Sequence, residues 1–297
     1  MISFEKPIRE AIALLITHHA SRITNLMDVP LLLVKTVLLR PYVFVFLAAF
    51  LFSAHRLLGW RRTWWFFGIT WLTAFVCEYA STRTGIPFGW YHYTGSTVGQ
   101  ELYLSNVPFM DSLSFTFLLF ASYCLALLFL APARRTAAGH GWALPRLGFD
   151  PASRAAWPAL GLTVFLFAFI DMVIDPVALR GDRWFLGKIY YYPDPGVHFG
   201  VPFENYVGWA VVGSLSLAAY IPIERRLPPL PASQEQDGAV GILLGCGLYL
   251  GVLLFNLGVT FWIGESLQGL TGLLMYAPVL LFAGLRLAGK LAPARPG

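Results

Sequence analysis

The chain carries a succession of apolar runs, each close to the ~20 residues a helix needs to cross a bilayer. Six are clear, at about 63–81, 106–130, 156–175, 206–222, 239–260 and 269–287. A seventh, about 41–58, follows Pro41, which suits the first turn of a helix. Charge agrees with this reading. Charged residues make up 12% and apolar residues 57%, with a mean hydropathy of +0.63, where soluble domains carry about 25% charged residues. So few charges cannot cover a water-soluble globule, and disordered chains and disulfide scaffolds are excluded as well. The reading is an all-α, polytopic transmembrane helix bundle of seven spans, or of eight if the stretch before residue 40 supplies one more. Residues 1–40 read as an interfacial or half-inserted segment, 41–290 as one transmembrane catalytic bundle, and 291–297 as a cytoplasmic tail.

The basic residues set the orientation. One set of loops holds Arg56, Arg61, Arg62, Arg134, Arg135, Arg146, Arg154, Arg225, Arg226, Arg286, Lys290 and Arg295, and the opposite set holds Arg83, Arg180, Arg183 and Lys188. The richer set is expected in the cytoplasm. With seven spans, Lys6, Arg9, Arg22, Lys35 and Arg40 fit this rule poorly; an eighth would bring the N-terminus back inside. The net charge of +5 therefore reflects membrane topology and not nucleic-acid binding. Cys77, Cys124 and Cys246 lie far apart inside apolar runs and read as small buried residues. Glu5 and Glu10 interrupt the start and no small-residue site follows, so no cleavable signal peptide is expected. The expected location is the plasma (inner) membrane of a bacterium.

The carboxylates carry the chemistry. Glu78, Asp111, Asp171, Asp175 and Glu204 all fall at the non-cytoplasmic ends of spans. Each alone has an ordinary use, as a helix cap or a partner of Arg83 or Arg180. Five converging on one rim point further, because charges within spans are costly. Asp171 and Asp175 are four apart and share a helix face, and such a pair in apolar surroundings suits a proton donor. Asp175 precedes Pro176, where the helix is expected to end and turn the carboxylate inward. Glu204 opens a span, where the helix N-terminus favours its charge. This division makes Asp175 the better acid and Glu204 the better base or cation stabiliser, with Asp111 and Glu78 in support.

Around them, Trp90, Tyr91, Tyr93, Trp184, Tyr190, Tyr191, Tyr192 and Trp209 form either an ordinary interfacial belt or a π-rich wall for a polyene or a carbocation. His92 and His198 lack tight metal-ligand spacing and read as hydrogen-bonding partners of the carboxylates. Asn106, Asn205 and Asn256 lie near span ends, and Asn205 is placed to position a water. Phosphate-binding and nucleophile-elbow motifs are absent, as is a DDxxD-type acidic pair. Gly241, Gly245, Gly247 and Gly251 read as a helix-packing face.

The sequence also echoes itself. Span 63–81, Trp90-Tyr91-His92-Tyr93 and Val107-Pro108-Phe109-Met110-Asp111 run parallel to span 156–175, Tyr190-Tyr191-Tyr192-Pro193 and Val201-Pro202-Phe203-Glu204, as in a parallel repeat. Chance likeness between aromatic interface loops is the alternative reading.

These strings, with Glu78-Tyr79, Thr84 to Gly89, Asp171 to Pro176 and Gly200 to Tyr206, resemble the membrane-bound carotenoid 1,2-hydratases, and more distantly the membrane-bound lycopene cyclases. The resemblance covers about 40–290. It implies that water adds across the terminal C1=C2 bond of an acyclic carotenoid end, through a tertiary cation, without a redox cofactor. Candidate substrate contacts are Trp90, Tyr91, His92, Tyr191, His198, Phe203, Asn205 and Trp209. Partners would be a carotenoid arriving from the bilayer through a sideways opening, water and membrane lipids. Two rivals stand beside it: a carotenoid cyclase, which excludes water, and a transporter or lipid-binding protein whose carboxylates form an ion relay.

Overall fold

A computed structural model of the chain describes residues 28–130, 133–134, 146–147 and 154–288. Lys6, Arg9 and Arg22, most of the 131–155 linker and the 291–297 tail lie outside the described residues. Among those described there are seven helices: α1 (Val29–Leu39), α2 (Pro41–Thr84), α3 (Phe109–Leu130), α4 (Trp157–Ala178), α5 (Phe203–Arg226), α6 (Ala232–Trp262) and α7 (Ser266–Leu287). All but α1 are long and apolar enough to cross a membrane, which marks an integral membrane protein. Helices are the form such runs take because each one pairs its own backbone groups where no water can.

Helix α2 is the exception to a simple count. Its 44 residues would extend about 66 Å as one rod, twice the ~30 Å hydrocarbon thickness. At Gly59 the backbone leaves the helix (φ 71°, ψ 157°), a conformation open to glycine and strained for other residues. The chain reverses there. The Phe50 and Phe66 rings lie 6.3 Å apart, where an unbroken helix would set them about 24 Å apart. Two arms, 41–58 and 60–84, therefore run antiparallel, as the sequence reading of spans 41–58 and 63–81 expects. The helix then stops at Gly85, left-handed at φ 75°.

Helix α3 is central. It packs on α2, α4, α6 and α7, and 83% of its apolar stretch is buried, against 22% for peripheral α7. At one end of the bundle sit the start of α2, the start of α3 and the ends of α4 and α6. Gly59, Arg61, Arg154, Arg225 and Arg226 sit at the other, where Arg62 donates to the Pro228 carbonyl at 2.7 Å.

Short strands join the loops at the first end. β1 (His92–Tyr93) pairs antiparallel with Tyr190–Tyr191, setting His92 opposite Tyr191 and Tyr93 opposite Tyr190. β2 (Tyr103–Leu104) pairs with β3 (Val107–Pro108). Between α3 and α4, β4 (Ala133–Arg134) pairs with β5 (Arg146–Leu147); Tyr190–Tyr191 is therefore β6.

Two sequence expectations change. Helix α4 does not end at Asp175; it continues through Pro176 to Ala178. Proline has no N–H to give the carbonyl four residues back, and His198 Nε2 lies 3.0 Å from that carbonyl, on Met172. The α6 glycines are also not one face. A Cβ on Gly241 would come within 2.8 Å of the Leu57 backbone nitrogen, and one on Gly245 would collide with Cys124, whereas Gly247 and Gly251 have open space around them.

Candidate functional site

The pairing of β1 with β6 builds the site. Side chains alternate along a strand, so Tyr91 and Tyr93 from one loop, and Tyr190 and Tyr192 from the other, turn toward the bundle. Their rings pack against each other, Tyr91 lying 5.3 Å from Tyr93, 6.1 Å from Tyr190 and 6.2 Å from Tyr192. Each loop then meets the carboxylates of its own half. Gly208 on α5 lets the Phe88 ring settle onto the helix, in space a Cβ would occupy.

In the first half, the Tyr93 hydroxyl lies 3.0 Å from Glu78 Oε1 and 2.7 Å from Asp111 Oδ2. Ser112 donates to the other Glu78 oxygen. In the second half, Tyr190 donates to Asp175 Oδ1 at 2.5 Å and Tyr192 to Asp175 Oδ2 at 2.6 Å. The Asn205 amide donates to Asp175 Oδ2 at 2.8 Å and to Asp171 Oδ2 at 2.6 Å. Burial first, then Asp111 and Glu78, push the Tyr93 phenol well above its ordinary value. Burial and then Asp175 do the same to Tyr190 and Tyr192. All three phenols therefore stay neutral and act as donors.

Both halves face one cavity of about 130 Å³. Glu78, Asp111, Asp175, Tyr91, Asn205 and Trp209 line it, together with Tyr93, Tyr190 and Tyr192. Its remaining wall is mostly apolar, including Tyr42, Phe46, Phe115, Phe117, Val252 and Phe255, with Ser114 and Asn256 as the polar exceptions. Asp171 stands behind this wall, fully buried and tied to it through Asn205.

The other expected site residues lie elsewhere. Trp90, His92 and Tyr191 occupy the alternate strand positions and face away from the cavity; Trp90 and Tyr191 are exposed. Phe203 is 75% exposed. His198 is engaged with the Met172 carbonyl freed by Pro176. Glu204 is exposed on α5, and its place in the repeat is not that of the first acid. Aligning Val107-Pro108-Phe109-Met110-Asp111 with Val201-Pro202-Phe203-Glu204-Asn205 matches Glu204 with Met110 and Asn205 with Asp111. The counterpart of the first acid is the amide, not the neighbouring glutamate. Among the described residues, no group of three or more His, Cys, Asp or Glu is arranged to hold a metal ion.

With this geometry in view, comparison with known proteins becomes specific. Residues 33–278 match the family described as "Carotenoid biosynthesis protein". The chain belongs to that family. The bisanhydrobacterioruberin hydratase of Haloarcula japonica is 29% identical over 209 residues, covering 68% of this chain and 58% of the relative. This chain therefore matches little more than half the length of that protein. No solved structure matches.

In this carotenoid-biosynthesis protein, sequence reasoning missed three kinds of site residue. Ser112 was one ordinary serine within a span. Tyr42, Phe46 and Phe255 were members of apolar runs, and only packing brings them to the cavity. Arg40 and Glu101 belonged to no motif, yet they form a fully buried ion pair above the site, 2.9 Å apart. The tyrosine–carboxylate pairing had a signal: the period-two spacing of Tyr91 with Tyr93 and of Tyr190 with Tyr192.

Proposed function

We propose that this protein hydrates the end of an acyclic carotenoid, adding water across the terminal C1=C2 double bond. One observation carries the reading: a single apolar cavity ends in two different tyrosine–carboxylate groups. Tyr93 has one hydroxyl proton and two carboxyl neighbours. Both contacts are satisfied when one of those carboxyls holds a proton and donates it to the Tyr93 oxygen. Glu78 already receives Ser112, so the proton is assigned to Asp111. Asp175 receives three donors, the pattern that holds a carboxylate as an anion.

The chemistry then divides by environment. Asp111 gives its proton to C2 of the alkene; the π bond breaks, a C–H bond forms, and a tertiary cation develops at C1. The Asp175 anion and the tyrosine and tryptophan faces stabilise that cation. Water bonds to C1 and its surplus proton passes to Asp175. Asp175 then gives up that proton and Asp111 takes one up, so both groups return to their starting states and no net proton is consumed. Nothing is oxidised or reduced. This moves the acid to Asp111 and makes Asp175 the base, where the sequence reading had Asp175 as the acid and Glu204 as the base or cation stabiliser.

For topology, the reversal at Gly59 supports seven passes, with the arginine-rich end in the cytoplasm of a bacterial cell and the carboxylate end outside. Arg40, one of the five basic residues that fit that orientation poorly, is neutralised by Glu101. The test of function is expression in a host that makes lycopene. A carotenoid heavier by one water is the expected product. An isomer of unchanged mass would instead mean cyclisation, and unaltered lycopene would remove both readings.

A further inference from the structure

The cavity holds only an end of any long substrate. Its ~130 Å³ is close to the engineered protein cavity of about 150 Å³ that takes up one benzene. One isoprene-sized group fits; the rest of a polyene has to leave the protein somewhere. Most of the wall is closed at the surface: Phe115, Phe117, Tyr190 and Trp209 are all buried. One sector differs. There Tyr42 stacks on Phe255 at 5.2 Å with planes 19° apart. Phe185 lies 5.4 Å from Tyr42 and 4.9 Å from Trp184, and it is 52% exposed. Tyr42, Trp184 and Phe255 line the cavity, so this aromatic cluster runs unbroken from the cavity to the protein surface.

Its level in the bundle fits an apolar visitor. Phe255 lies seven residues before the end of α6 at Trp262, about 10 Å along the helix, which sets it inside the apolar layer. The rim is held in place from behind: Trp184 Nε1 donates to the Val177 carbonyl at 3.0 Å, and Arg40 donates to the Leu186 carbonyl at 2.5 Å.

We infer that Tyr42, Trp184, Phe185 and Phe255 form a lateral portal, between the first arm of α2, the end of α6 and the 184–186 segment, through which a linear conjugated chain threads one end into the cavity while its remainder stays in the bilayer. Flat ring faces suit a flat polyene, and the four side chains carry no charge, the Arg40 beside them being paired with Glu101, which suits a hydrocarbon. The inference rests on the proposed carotenoid substrate, though not on what happens to it.

A photoreactive diazirine phenylalanine placed at Phe185 tests this in membranes containing lycopene. The same probe at Leu215, an exposed position on α5, reports general contact with dissolved carotenoid. Both sites are exposed, so both variants should fold, which detergent extraction and melting would verify. The expected result is about tenfold more lycopene–protein adduct at 185 than at 215, a tenfold difference in local occupancy. Equal yields, or more adduct at 215, would overturn the portal. Product analysis of the unsubstituted protein separates the two questions. A strong adduct at 185 without hydrated product removes hydration and keeps the portal, whereas hydrated product without the preference does the reverse.

Discussion

A single hydroxyl proton shared by two carboxyl groups is the basis of the proposed assignment at the residue scale. Tyr93 connects Glu78 and Asp111, and Asp175 collects donors from both strand and helix. Replacing Asp111 by Asn keeps the shape and the contact to Tyr93 but leaves no acidic proton. Formation of hydrated carotenoid should fall by about 10²–10⁴, the usual contribution of a general acid, with expression and melting unchanged. Glu204→Gln, on the exposed face of α5, should keep near-normal turnover. Product yield per amount of folded protein measures both, and the opposite ranking would return the chemistry to Glu204.

Two glycines on α6 differ by what stands opposite them, which makes packing testable at the level of the element. Gly245 lies against Cys124 on α3, while Gly247, two residues on, faces open space. Gly245→Val should lower stability by about 1–3 kcal/mol, the common cost of overpacking. Gly247→Ala should be neutral or slightly stabilising, since alanine is the better helix former. Thermal unfolding in detergent reads the pair, and equal destabilisation would mean that the helix contact is not where the fold places it. Helix α2 carries the same lesson. Its apolar character runs through both arms, and one glycine conformation turns 44 residues from a rod into a hairpin.

For the whole molecule, the buried pair of Arg40 and Glu101 acts as a clasp. Arg40, at the start of α2, bonds Glu101 with two nitrogens, at 2.9 and 3.3 Å, and also the Leu186 carbonyl. Thr97 adds a bond to Glu101 at 2.5 Å. Segments far apart in sequence thus meet above the cavity and fix the rim of the aromatic cluster. Glu101→Gln would leave a buried guanidinium without its counter-charge, at a cost of about 3–5 kcal/mol. The double replacement Arg40→Met with Glu101→Leu should recover most of that loss, because two apolar side chains need no partner. Melting temperatures of the three proteins check this; a double variant no better than Glu101→Gln would mean the pair does more than neutralise itself.

The amino-acid order determined the architecture by itself, because crossing a bilayer demands long apolar helices and the runs at 106–130, 156–175, 206–222, 239–260 and 269–287 leave little choice. It also placed Glu78, Asp111, Asp175 and Asn205 at one end, since span boundaries are local properties of the chain. Which neighbours meet was decided by tertiary structure. Whether Tyr93 faces a carboxylate and His92 faces away depends on the pairing of two loops almost a hundred residues apart, and strand register is invisible to local composition. Glu204 and Asn205 are adjacent in sequence, yet a helix points consecutive side chains about 100° apart, so one reaches the cavity and the other the surface. The aromatic portal and the Arg40–Glu101 clasp needed the folded bundle for the same reason: each is made from residues that no periodicity connects, brought together only when the helices pack.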